Sequence, residues 1–295
     1  MAKINIQFTL FSAFYSPLIA TMSAGFLKEE GLDYEWSVSP PGVSAVDAAI
    51  DGSAQVIQSA PSHAFTALNQ GDSSPVLHFA KVNEMDGFFI SGRENDADFS
   101  WKKLEGAEVV MFGGGQPNAM FRYACSKAGI DYDKIIPITP GGPDAIDRAF
   151  REGQGQYVQQ QGPYPQQLVA ENKAHIVAQV GPLIGPCAFS SLAATRAWLQ
   201  TDEAMAFTRA YKKARQYLHE TPAKEVAAKE IDYFTGTDKA ALTQCIDTYQ
   251  QLGCWTPEIE ITREAFGVTL DVYEYCGGIT QRYEYEQVCC LPPGA

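Results

Sequence analysis

The chain has 295 residues, 45% of them hydrophobic and 19% charged, which are the proportions of a folded globular protein rather than a disordered or fibrous one. Thirty-five acidic against 22 basic residues leave a net charge of −13, a field that repels nucleic acid and anionic membrane surfaces. No window approaches the roughly 18 uninterrupted apolar residues that membrane insertion needs, and the length favours two compact lobes over a single core.

The opening Lys3-Ile4-Asn5-Ile6-Gln7-Phe8 alternates polar and apolar, which predicts a strand over 3–10 and shows no secretory segment. Pro17 opens a short helix that stops at Gly25, and a second strand over 33–38 leads through Pro40-Pro41-Gly42 into a helix over 44–51. A third strand follows over 55–59, after which Ser62 is expected to cap a helix reaching Asn69 ahead of Gly71. This βαβα rhythm predicts a mostly parallel sheet. Strands over 76–82 and 87–90 come next, and the polar run Arg93-Glu94-Asn95-Asp96-Ala97-Asp98 marks the expected lobe boundary.

The rhythm then restarts. A strand over 107–112 meets Gly113-Gly114-Gly115-Gln116 and a helix over 117–128 that Gly129 stops. Strands over 135–139, 156–160 and 174–180 alternate with helices over 143–151 and 165–171. From Ser191 onward the pattern is helical, with Thr201 capping a long amphipathic helix to His219 and Asp238 capping another to Gln251.

Several loops carry chemistry. Gly113-Gly114-Gly115-Gln116-Pro117-Asn118 joins a strand to a helix, where free backbone N–H groups and the helix dipole can hold an anion; a plain tight turn is the alternative. Ser59-Ala60-Pro61-Ser62-His63 stands at a strand's C-terminal end, the usual ligand position in open α/β sheets, with His63 either a ligand donor or simply packed. The segment from Gln156 to Tyr164 offers amides and two rings suited to a flat polar ligand, and Phe11, Phe14 and Tyr15 follow the first strand in the same way. Asn83-Glu84-Met85-Asp86 reads as a hairpin turn, or as a carboxylate pair for a ligand amine. Seven cysteines without paired spacing read as reduced thiols, and vicinal Cys289-Cys290 as structural. No common hydrolase or zinc motif occurs, so no metal and no cofactor is expected.

Tyr15-Ser16-Pro17-Leu18, followed by Gly25-Phe26-Leu27-Lys28-Glu29-Glu30-Gly31-Leu32-Asp33, resembles the opening of the SsuA/ThiY/fungal thiamine-pyrimidine synthase superfamily. Gly52-Ser53-Ala54-Gln55-Val56 and Trp101-Lys102-Lys103-Leu104-Glu105-Gly106 are similar to its next strand and to the step that begins its second lobe. The resemblance implies an α/β, two-lobed periplasmic-binding-protein-like type II fold, here with a helix-rich C-terminal part, whose lobes close on a ligand by hinge motion. Most such relatives are exported receptors of ABC importers for sulfonates, nitrate, riboflavin or thiamine-precursor pyrimidines. In the fungal synthases the fold consumes a histidine, matched here by His63, together with bound pyridoxal phosphate. Ser59 stands where their cofactor lysine falls, and only Cys187 remains of their cysteine-rich iron segment, in Pro186-Cys187-Ala188-Phe189-Ser190, so that chemistry is not expected.

The expected arrangement is therefore residues 1–91 with 189–295 as one lobe and 92–188 as the other, with a planar heteroaromatic or anionic metabolite bound between them by Tyr15, His63, Gly114, Gln116, Gln160 and Cys187. An ABC permease is the expected partner if the chain is exported. The competing expectation is a cytoplasmic enzyme acting on a small aromatic or heterocyclic acid, with His63 as acid–base and Cys187 as nucleophile. A ligand-sensing module is a third. The free thiols and the lack of a secretory segment lean toward the cytoplasm; a mature exported form is the alternative.

Overall fold

The computed structural model describes residues 2–40 and 42–294; Pro41 of the expected Pro40-Pro41-Gly42 turn lies outside the described residues. Ten strands form two five-stranded sheets. The first has the order β2-β1-β3-β10-β4, from β1 (Ala2–Phe8), β2 (Leu32–Val38), β3 (Val56–Ser59), β4 (Val76–Lys81) and β10 (Ser191–Thr195). The second has the order β7-β6-β8-β5-β9, from β5 (Phe88–Gly92), β6 (Glu108–Val110), β7 (Ile136–Ile138), β8 (Tyr157–Gln161) and β9 (His175–Gln179). The alternation in β1 does what it predicts, turning Ile4, Ile6 and Phe8 inward while its polar residues face out.

Helix boundaries that depend on local caps fall close to expectation. Thr201 accepts the Ala204 N–H to start Asp202–Glu220, Asp238 accepts from Ala240 and Ala241 to start Lys239–Gln251, and Pro143 stands in the first turn of Pro143–Arg151. Three expectations need correction. Ser62 caps nothing: residues Pro61–Ala64 form a 3₁₀ turn, and the Ser62 hydroxyl donates instead to the Gln116 side chain at 2.5 Å. The region after Ser191 is not all helix, because Ser191–Thr195 is β10. Its Ser-Leu-Ala-Ala-Thr sequence is buried on both faces and shows no alternation, so only its neighbours β3 and β4 identify it as a strand. Nor are the sheets mostly parallel: β10 runs antiparallel to β3 and β4, and β5 antiparallel to β8 and β9.

That reversal follows from how the chain crosses between sheets. It leaves the first through 82–87 and returns through 180–190, and the two crossings bind one another: Val82 N–H donates to Ser190 O at 2.7 Å, Cys187 N–H to Glu84 O at 2.8 Å, and Val180 N–H to Phe88 O at 2.9 Å. Asn83-Glu84-Met85-Asp86 is thus a crossing segment and not a hairpin turn. One hydrophobic cluster continues across this junction, from Phe8 and Phe14 to Phe88, Phe89, Phe189 and Tyr249. The crossings touch so closely that a Cβ on Gly181 would lie 2.2 Å from the Asp86 carbonyl oxygen. Gly181→Ala is expected to lower unfolding free energy by about 2 kcal/mol, because backbone has to give way; a urea midpoint equal to that of the wild type would refute the tight crossing.

Candidate functional site

Where β1 ends, the Gln58 side chain accepts the Thr9 N–H at 3.1 Å and Thr9 Oγ1 donates to Gln58 O at 2.7 Å, which turns Leu10, Phe11 and Ser12 toward the second sheet. Ser12 Oγ donates across to Gly162 O at 2.6 Å. The Tyr249 hydroxyl accepts the Gly162 N–H at 2.8 Å and donates to Gly87 O at 2.9 Å, so the segment after β8 is pinned to the crossing as well.

Between these ties lies a cleft of about 300 Å3. Leu10, Phe11 and Ser12 line it from the first sheet; Phe88, Phe112, Gln160 and Gln161 line it from the second; Pro143, Ile146 and Tyr164 come from the two helices that follow β7 and β8. It is narrow, with free room for about one water molecule, so the cleft is nearly shut.

Its polar groups are specific. Gln160 is 3% exposed; its Nε2 donates to Asp147 Oδ1 at 3.2 Å, and its Oε1 has no partner among the described residues. Gln161 Oε1 accepts from the Tyr15 hydroxyl at 3.3 Å, and its Nε2 is without a partner. One free acceptor and one free donor are therefore buried beside the phenylalanine rings, an arrangement that costs free energy unless a ligand or water completes it. The Tyr164 hydroxyl donates to the Asp144 carboxylate, and Arg151 pairs with Asp147 behind the cleft.

The residues singled out in the sequence divide. Gln160 lines the cleft, and Tyr15, fully buried with its pKa pushed up to about 12 by burial, reaches it through Gln161. Gln116 is a brace: its Nε2 donates to Phe189 O at 2.5 Å while its Oε1 accepts from Ser62, joining the helix Gly115–Lys127 to segments of the other sheet. Gly114 is exposed, with extended backbone and open space where a Cβ would stand, beyond the cleft-lining Phe112. The His63 ring is reached by water yet closely walled by protein; Nδ1 stands 2.7 Å from Ser59 Oγ, and desolvation holds its pKa below the ordinary histidine value. Cys187 does not line the cleft. It is fully buried at the crossing beside Lys81 and Glu84, and burial raises its thiol pKa strongly, so it is no solvent-ready nucleophile.

Phe112, Phe88, Ser12 and Ile146 went unassigned in the sequence, whereas Gln161 falls in the amide-rich segment from Gln156 to Tyr164 singled out there. Each stands at a strand's end or in the turn after it, except Ile146, which is one turn into a helix. Their only shared sequence signal is that position, which every loop in such a sheet also has.

Comparisons agree with this architecture. The family described as NMT1/THI5 like matches residues 13–225. "Putative binding protein YtlA" of Bacillus subtilis (strain 168) is 27% identical over 292 residues, covering 98% of this chain and 87% of that protein. Among solved structures, the ligand-binding component of an ABC-type import system from Staphylococcus aureus, with zinc bound, superposes with a TM-score of 0.78 at 13% identity, covering 99% of this chain and 97% of that one. The periplasmic aliphatic sulphonate binding protein SsuA from Escherichia coli gives 0.75 at 15% identity, covering 98% and 97%. At such identities these structures establish the periplasmic-binding-protein-like fold.

Proposed function

The chain belongs to the NMT1/THI5-like family, and from that premise we propose that it is a solute receptor that closes on a small planar heteroaromatic compound and presents it to an ABC permease. In this reading the lobes are hinged at the two crossings, so the boundary expected at residue 91 moves back to about 87, because β5 (Phe88–Gly92) pairs within the second sheet. The observation that carries it is the pair of buried, partnerless amide atoms, Gln160 Oε1 and Gln161 Nε2, beside Phe11, Phe88 and Phe112. Rings of this kind take the faces of a flat ligand, and the amides fix its edge. An anionic ligand fits less well, since no lysine, arginine or histidine lines the cleft. The enzyme alternative loses its nucleophile with Cys187 buried, and the Nδ1 of His63 already has Ser59 as its partner.

A thermal-shift panel of pyrimidines, flavins, pyridoxal phosphate, sulfonates and aromatic acids, with mass analysis of each stabilising compound, tests this reading. A ligand at about 1,000 times its Kd adds on the order of 4 kcal/mol and raises the midpoint by several degrees. Gln160→Leu is expected to weaken the best binder by about tenfold, through one lost hydrogen bond. Full affinity in that variant would move the site elsewhere, and recovery of a chemically altered compound would make the protein an enzyme.

A further inference from the structure

We propose that this cleft selects positive charge: its ligand is a planar ring system bearing a cationic or protonated amino nitrogen, and Asp144 is the residue that reads it. The proposal rests on the receptor reading and narrows its ligand class.

Asp144 stands between the cleft-lining Pro143 and Ile146, and its carboxylate is bonded to the cleft-lining Tyr164 hydroxyl. Among the described residues it takes part in no ion pair; the nearby Arg151 is instead divided between Asp147 and Glu171. The first turn of Pro143–Arg151 offsets part of the Asp144 charge through the helix dipole, and Tyr164 satisfies one oxygen, which leaves an exposed carboxylate with acceptor capacity next to the cleft-lining Tyr164.

Independent features of the same cleft favour the same sign of charge. Gln160 Oε1, nine-tenths buried or more and partnerless, is a second acceptor. Phe11, Phe88 and Phe112 also line the cleft, and an aromatic ring whose face is open to a cation attracts it in a desolvated site. Burial and the neighbouring Asp144 raise the Tyr164 pKa, so its hydroxyl stays protonated and keeps the carboxylate oriented. The net charge of −13 adds a field that draws cations inward.

Three compounds with one ring and different charge separate the outcomes: benzamidine, cationic at neutral pH, benzamide, neutral, and benzoate, anionic. Dissociation constants are measured with the full chain by ligand-observed NMR, in the wild type and in Asp144→Asn. Benzamidine is expected to bind about tenfold more tightly than benzamide, with benzoate the weakest, and the variant is expected to bring benzamidine to the benzamide value while leaving benzamide unchanged. An unchanged thermal midpoint shows that the variant is folded. Tighter binding of benzoate, or equal benzamidine affinity in both proteins, overturns the charge selection and leaves the receptor reading standing. If none of the three binds at millimolar concentration, the planar-ligand reading falls together with it.

Discussion

Replacing Arg215 by leucine is expected to cost the fold about 3–5 kcal/mol, the penalty of removing one partner from a buried charged network. Arg215 lies on the inner face of Asp202–Glu220, one and two turns after Tyr211 and Phe207, and its side chain is fully buried. Its guanidinium donates to Thr256 O at 2.6 Å, Val82 O at 2.8 Å and Glu84 Oε1 at 3.0 Å, which fastens the first crossing to the helical layer. Glu84 keeps Lys81 at 2.7 Å and Thr256 Oγ1 at 2.6 Å when Arg215 is gone, but the buried carbonyl of Val82 and the half-buried one of Thr256 lose their side-chain donor. Equilibrium urea unfolding measures the loss. A value under about 1 kcal/mol would mean that the crossing is held by packing alone.

The second expected result is a stability that falls as pH rises through neutrality, and its reduction by Glu230→Gln. Glu230 is fully buried, and burial raises its pKa from 4.5 to about 8. The geometry around Ser16 agrees. Its hydroxyl oxygen lies 2.8 Å from Ala13 O and 2.7 Å from Glu230 Oε2, yet a hydroxyl has one proton to give. The carbonyl cannot donate, so both contacts are satisfied together only when Ser16 gives its proton to Ala13 O and Glu230 carries the proton between itself and Ser16, the state that burial favours. Between pH 4.5 and 8 the folded chain therefore holds a proton that the unfolded chain has lost, and unfolding free energy declines across that window.

For Glu230 alone the full window corresponds to on the order of 4 kcal/mol. Asp86, buried at the crossing with one oxygen partnerless and its pKa raised from 3.8 to about 7, adds a slope of the same sign and similar size that ends near pH 7. Denaturation at pH 5, 7 and 9 should show the wild type weakening, and Glu230→Gln, whose amide can donate as the protonated acid does, should be the more stable protein at pH 9 and close to equal at pH 5. A flat wild-type profile would mean that Glu230 is ionised in the fold.

Neither effect is visible in the sequence. Arg215 and Glu230 are ordinary polar members of amphipathic helices until the neighbouring layers cover them, and Ser191–Thr195 has no strand pattern until β3 and β4 flank it. The same holds for the cleft. Phe11, Phe112 and the Gln160–Tyr164 segment come from separate parts of the chain, and Gln116, which reads as a ligand contact in a glycine-rich turn, is engaged by Ser62 and Phe189 from other parts of the chain.

What the sequence determined by itself is what a few adjacent residues can decide. The capped starts at Thr201 and Asp238, the helix opened by Pro143, the inward face of β1 and the family opening from Tyr15 to Asp33 each depend on contacts within a turn or on one period of alternation. Tertiary structure alone decided strand direction, the crossings and their glycine contact, which polar groups are buried, and which loops meet to form the cleft. Those outcomes depend on pairing and desolvation between segments far apart in the chain, 150 residues for Ser12 and Gly162 and 214 for Ser16 and Glu230, and no local pattern encodes which partner will arrive.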